Sequence, residues 1–170
     1  MAKKRNEEPQ NIIIDSGGRI PPWSNDIEEA VLGCLINNYQ LIGKYPYLKP
    51  NVFYNQINAL IFESLQKLYN EDKKPDIVIL SDYLKTIGKL EEVGGFIHLA
   101  DLVERDPFHV DSHTKLLRDK YHYREFIRFA WELQKVSFEA IEDPIVIADD
   151  FMYKIMNLME FDSEIQNNFA

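Results

Sequence analysis

The chain has 170 residues and a mass of 20.0 kDa, the size of one ordinary domain or of one domain plus an extension, and folding at this length buries roughly 70% of the unfolded surface, so a core forms without staples. Apolar residues make up 45% and aromatic residues 12%, which excludes a disordered chain despite a net charge of −9. That charge argues against a surface that grips DNA all round, the single Cys34 excludes an intramolecular disulfide and a cysteine-based zinc finger, and no apolar run reaches the ~20 residues of a membrane span.

Residues 1–20 read as a polar tail. MAKKRN is not followed by an apolar segment, so no secretory signal is expected, and the protein reads as reduced, soluble and intracellular. Lys3-Lys4-Arg5 is read as a solvated tail end. Order is expected from Pro21-Pro22-Trp23-Ser24, where the prolines delay a helix and Ser24 caps it, with Asp26, Glu28 and Glu29 as solvated charges in its first turns. Ile27, Ala30, Val31, Cys34 and Leu35 give that helix one buried stripe. Cys34 lies on the stripe as a packed thiol.

A weak helix over 40–45 precedes a loop fixed by Pro46 and Pro50. Asn55 opens the next helix, with Ile57, Leu60, Ile61, Leu65, Leu68 and Tyr69 on one face. Asp76 caps a further helix through Ile87, and Gly88 suits its C′ position. Gly94-Gly95 leads into a helix from Phe96 to Arg105, which Pro107 stops. A long helix over 109–141 follows, then Asp143 as N-cap and Pro144 at N1 of a final helix carrying Ile145, Ala148, Met152, Ile155, Met156 and Met159. The expected fold is all-α: a tail (1–20), a compact helical head (21–108), an antiparallel helical hairpin (109–159) and a polar linker or C-terminal tail (160–170).

Catalytic constellations are missing from the sequence. There is no GxxxxGK(S/T) phosphate loop, no GxGxxG and no HExxH. His109 and His113, four apart, lack further zinc ligands and read as surface or capping residues. The pairs Glu28-Glu29, Glu91-Glu92 and Asp149-Asp150 are adjacent, so on a helix they diverge by about 100° instead of converging on a substrate. All three read as solvated charges, and no Ser, His and Asp fall into a triad motif.

The long helix has more apolar surface than one interface uses. Leu116, Tyr123, Phe126, Ile127, Ala130 and Leu133 form one stripe, Leu117, Tyr121 and Trp131 another, and Phe129, Val136 and Phe138 widen the coverage. Lys115, Arg118, Lys120, Arg124, Arg128 and Lys135 are interleaved and are expected to reach water. The expectation is a second apolar face that meets another subunit or a partner, with Phe129 and Trp131 as self-association residues. Eight acids against Lys154 follow between Glu139 and Glu164, so cations on the first hairpin helix are expected to pair with acids on the second.

Arg19-Ile20-Pro21-Pro22-Trp23-Ser24 with Glu28-Glu29-Ala30-Val31-Leu32-Gly33 resembles the opening of the N-terminal domain of bacterial replicative DNA helicases of the DnaB family. Leu48-Lys49-Pro50 to Phe53-Tyr54 with Leu60-Ile61-Phe62, then Pro75-Asp76-Ile77-Val78, then Leu90-Glu91-Glu92-Val93-Gly94-Gly95 to Leu99 match in the same order, so the resemblance covers roughly residues 19–160. Trp23 departs from the family, which often has a smaller polar residue there. The family continues through a linker into a RecA-like ATPase, and ATP and Mg would belong to that missing domain; no cofactor or metal is expected in this chain, and no catalysis.

The resemblance implies a cytoplasmic assembly and docking domain. Its partners would be itself, as a dimer or as a trimer of dimers in a ring collar, then the helicase-binding domain of primase and, in some systems, a helicase loader, with little direct DNA binding and no membrane. Ile127 and Leu133 on the long helix and His98 on the head are the expected primase contacts. Alternatives are a stand-alone regulator or loader-like protein that binds a helicase ring and, behind it, a helical DNA-binding module using Lys115 to Lys135.

Overall fold

A computed structural model describes residues 18–105 and 109–168, with side chains through residue 159. Among these residues there are seven α-helices and no strand, in agreement with the all-α expectation. They are α1 (Asn25–Asn37), α2 (Leu41–Lys44), α3 (Gln56–Asn70), α4 (Ile77–Thr86), α5 (Gly95–Val103), α6 (Val110–Glu139) and α7 (Pro144–Asn168), with a 3-10 turn at Pro50–Val52. The tail before Gly18 and the expected stop at Pro107 lie outside the described residues.

Local chemistry sets three of the helix starts. The Asn55 side chain accepts from Ile57 N at 2.9 Å, and Asp76 accepts from Val78 N and Ile79 N, both at 2.9 Å. Asp143 accepts from Ile145 N at 2.8 Å, with Pro144 as the first residue of α7. Gly88 follows α4 at φ +71°, the left-handed conformation a C′ residue needs. Ser24 occupies the N-cap position of α1, but its side chain makes no capping bond.

Helix α1 is the axis of the head. It packs against α3, α5 and α6. From Glu28 to Ile36 every residue is buried, so the expected single stripe is instead a helix enclosed on all sides. Leu32, Leu35, Phe62, Leu65, Leu80, Leu99 and Leu102 fill the core around it, and Phe53 stacks on Phe62 with ring centroids 4.9 Å apart. Where α1 crosses α5 the backbones touch: a Cβ on Gly33 would overlap the carbonyl oxygen of Leu102.

Helix α6 serves two parts of the molecule. Its first half lies on α1, with Leu117 in the head core. Its second half pairs with α7. The helix ends at Glu139 with Ala140 in the left-handed region at φ 49°. The α7 backbone stays helical to Asn168, beyond residue 159 where the apolar period fades and a linker was expected.

Candidate docking surface

The junction of head and hairpin is polar. Glu28, expected at a solvated helix start, is fully buried. Its carboxylate accepts from Tyr54 N at 2.8 Å, Asn55 N at 3.2 Å and Asn58 Nδ2 at 3.0 Å. Burial lifts its pKa above the ordinary 4.5, against the pull of those donors and of the Arg124 charge. Glu29 is also buried and pairs with Arg105 and, at 2.6 Å, with Asn25 Nδ2. Both corrections have one cause: α3 and α5 close over this side of α1, and buried carboxylates take donors from the covering segments.

Arg124 is corrected in the same way. Instead of reaching water, its guanidinium donates to Pro22 O at 3.1 Å and Val52 O at 2.5 Å, and it sits over the rings of Tyr54 and Tyr121 at 5.4 and 5.7 Å. Arg118 likewise lies over the Tyr47 ring at 5.3 Å, with its side chain 16% exposed. Asn51 donates to the Tyr121 hydroxyl at 3.0 Å. At the N-terminal end of α6, Asp111 accepts from Lys44 at 2.7 Å and from the Tyr45 hydroxyl at 2.6 Å. Burial and then this bond push the Tyr45 hydroxyl up to about 12. Arg118 and Arg124 are thus turned inward, while Lys115, Arg128 and Lys135 of the same helix stay exposed.

Beyond this junction the hairpin is open. On α7, Phe151 is buried, and Ile147, Lys154 and Leu158 are half-buried, a 4-3-4 spacing that marks the seam with α6. Ile145, Met152, Met156 and Met159 are 71, 60, 54 and 39% exposed. They lie about 100° round the helix from Phe151, so the seam does not cover them. Phe138 and Ile141, at the turn, are 83 and 84% exposed. The seam's ion pair also runs opposite to expectation: the α7 cation Lys154 bonds the α6 acid Glu132 at 2.8 Å, and Asp150 at 2.7 Å.

The expected site residues separate. Trp131 is 46% exposed and shares a face with half-buried Ile127 and with Tyr123, at spacings of four. Phe129 is only 7% exposed and packs within the single chain. Leu133 is 40% exposed, but six residues along a helix turn it about 120° away from Ile127, so the two do not make one patch. His98 sits half-buried on α5, close above Gly94, on the head. The α7 stripe was visible as a run of apolar positions but not as the open face. His109 and His113 have ring centroids 6.1 Å apart, and no group of three metal-ligating side chains forms among the described residues. No described helix is long and apolar enough to cross a membrane.

The fold and this surface define a class: an all-helical head that carries a helical hairpin with an uncovered apolar face. A family model described as the DnaB-like helicase N terminal domain matches residues 20–119, and the chain belongs to that family. The replicative DNA helicase DnaB of Rhodothermus marinus is 24% identical over 160 residues, 92% of this chain and 17% of that protein. The DnaB of Treponema pallidum is 30% identical over 131 residues, 75% of this chain and 29% of that protein. The DnaB of Geobacillus stearothermophilus is 27% identical over 145 residues, covering 84 and 32%. The chain therefore spans no more than 32% of the length of these relatives. Among solved structures, the N-terminal domain of the DnaB helicase from Mycobacterium tuberculosis superposes with a TM-score of 0.70 at 19% identity, covering 81% of this chain and 99% of that one. A DnaB-like replicative helicase described with its interactions with primase gives 0.68 at 23% identity, covering 77 and 30%. At these identities the superpositions establish the fold.

Proposed function

We propose that this chain is an assembly and docking module of a replicative DNA helicase, without catalysis or a cofactor of its own. Its hairpin joins a second copy, and in a full ring such dimers build a collar, as a trimer of dimers. The helicase-binding domain of primase docks on the collar, and a loader does so in some systems. ATP and Mg belong to the motor portion of such a helicase. The observation that carries this reading is the uncovered stripe Ile145, Met152, Met156 and Met159: apolar surface of that extent on a monomer marks an interaction site. The relatives' names support a place in a replicative helicase, and the solved helicase described with its interactions with primase supports the choice of that partner.

Sedimentation equilibrium tests the assembly. The chain is expected to self-associate at micromolar concentration, and Met152→Asp with Met156→Asp to return it to a 20.0 kDa monomer with an unchanged melting temperature. A parent that stays monomeric at high micromolar concentration contradicts the reading. For the primase contact, Leu133→Ala, Ile127→Ala and His98→Ala are titrated with the helicase-binding domain of primase. A loss of about tenfold without loss of fold supports each residue, and parent-like affinity removes it.

A further inference from the structure

Among the hydrogen bonds set out above between α6 and the head, those of Arg124 lie furthest along α6. After Arg124, α6 continues through 15 residues to Glu139, an arm of about 22 Å with α7 packed alongside. Its described ion pairs from there on are internal to the hairpin: Glu125–Arg128 at 2.6 Å and Glu132–Lys154 at 2.8 Å. The apolar packing under the first half of α6 resists separation but permits sliding and small rotation, because dispersion and the hydrophobic effect are non-directional. Hydrogen bonds to fixed carbonyls are directional. The Arg124 guanidinium reaches two of them on separate segments, the strap before α1 and the 3-10 turn after Lys49. A planar fork does this and an ammonium does not. Glu28, itself fixed by three donors, lies near enough to favour the Arg124 cation against the cost of its partial burial.

We propose that Arg124 is the positioning residue that fixes the angle between hairpin and head, and so the geometry in which copies of this chain assemble. This rests on the assembly reading above. Over an arm of about 22 Å, a rotation of about 10° at Arg124 moves the tip by about 4 Å, comparable to the width of a side chain. A closed assembly needs each copy to repeat the same angle, since a variable one yields open or mixed products.

Single-molecule energy transfer tests the pin at dilutions where the chain is monomeric. Dyes are placed on Lys74→Cys in the head and Glu142→Cys at the hairpin turn, both exposed positions, while Cys34, 2% exposed, is expected to escape labelling. The parent is expected to give one narrow peak. Arg124→Met is expected to give a broadened or split one with helical circular dichroism retained, and Arg124→Lys an intermediate result. A peak as narrow as the parent's in helical Arg124→Met overturns the pin; if Arg124→Met does not fold, a parent-like peak in Arg124→Lys does so. Native mass spectrometry at micromolar concentration then reads assembly, with one oligomer expected for the parent and a ladder of species for Arg124→Met, or for Arg124→Lys if the former does not fold. A monomeric parent refutes the assembly reading while the dye measurement still decides the pin. A variant with a broadened peak and the parent's single oligomer refutes the claim that the pin governs assembly.

Discussion

At zero exposure the Glu28 carboxyl accepts from three donors, two of them backbone N–H groups that only an acceptor satisfies. In Glu28→Gln one of the two acceptor oxygens becomes an NH2 group that faces donors, so a loss of about 1–3 kcal/mol is expected in urea melts. The pH dependence has a definite sign. The pKa of Glu28 is raised on folding, so between 4.5 and the folded value the folded chain holds more protons than the unfolded one. The Glu28 contribution to stability therefore falls as pH rises through that window. Asp111, whose pKa Lys44 and then Tyr45 lower, acts in the opposite sense below 3.8. Melts from pH 4 to 7 on parent and Glu28→Gln isolate the Glu28 slope, which the variant lacks; identical slopes would exclude this account. Caps such as Asn55 and Asp76 were legible in the sequence because donor and acceptor lie within three residues. The burial of Glu28 was not, since its partners stand 26 to 30 residues away and Arg124 bonds Pro22 across 102.

Among the elements, the contact of α1 with α5 gives a result opposite to helix propensity. Replacing a helical glycine with alanine gains up to about 1 kcal/mol of propensity. At Gly33 the added Cβ overlaps the Leu102 carbonyl, a backbone atom that does not rotate aside, and overpacking of this kind costs about 1–3 kcal/mol. Gly33→Ala is expected to lower the melting temperature, and a rise would show that α5 yields. The hairpin separates two substitutions that looked equivalent in sequence. Phe129→Asp places a charge at a buried position and is expected to melt the hairpin, whereas Trp131→Asp, at 46% exposure, should leave the melt unchanged and weaken association in sedimentation. Periodicity revealed that α6 is apolar on more than one side and that α7 carries a run of apolar positions. It did not reveal which side is the seam, because Ile147, Phe151 and Leu158 and the Ile145, Met152, Met156 stripe obey the same spacing and differ only in what the fold sets against them.

On the scale of the whole molecule, head and hairpin were legible from glycine, proline and cap positions, but their boundary was not a gap between two bodies. The family match ends at residue 119, within the half of α6 that lies on the head, so the matched region is close to the region that shares one core. The sequence has no GxxxxGK(S/T) loop, and calorimetry is expected to find no ATP binding in the micromolar range; a micromolar dissociation constant would refute a purely architectural role. The enclosure of α1 by α3, α5 and α6 has a kinetic consequence. Amide hydrogens in α1 exchange with solvent only when the three surrounding helices part, which is the opening of the entire head. Those of α7, backed by one helix, exchange through local fraying that leaves α1 intact, and deuterium uptake should rank the two helices by orders of magnitude. The outer helix of the hairpin can thus fray and re-form along α6 many times within the lifetime of a single folded head.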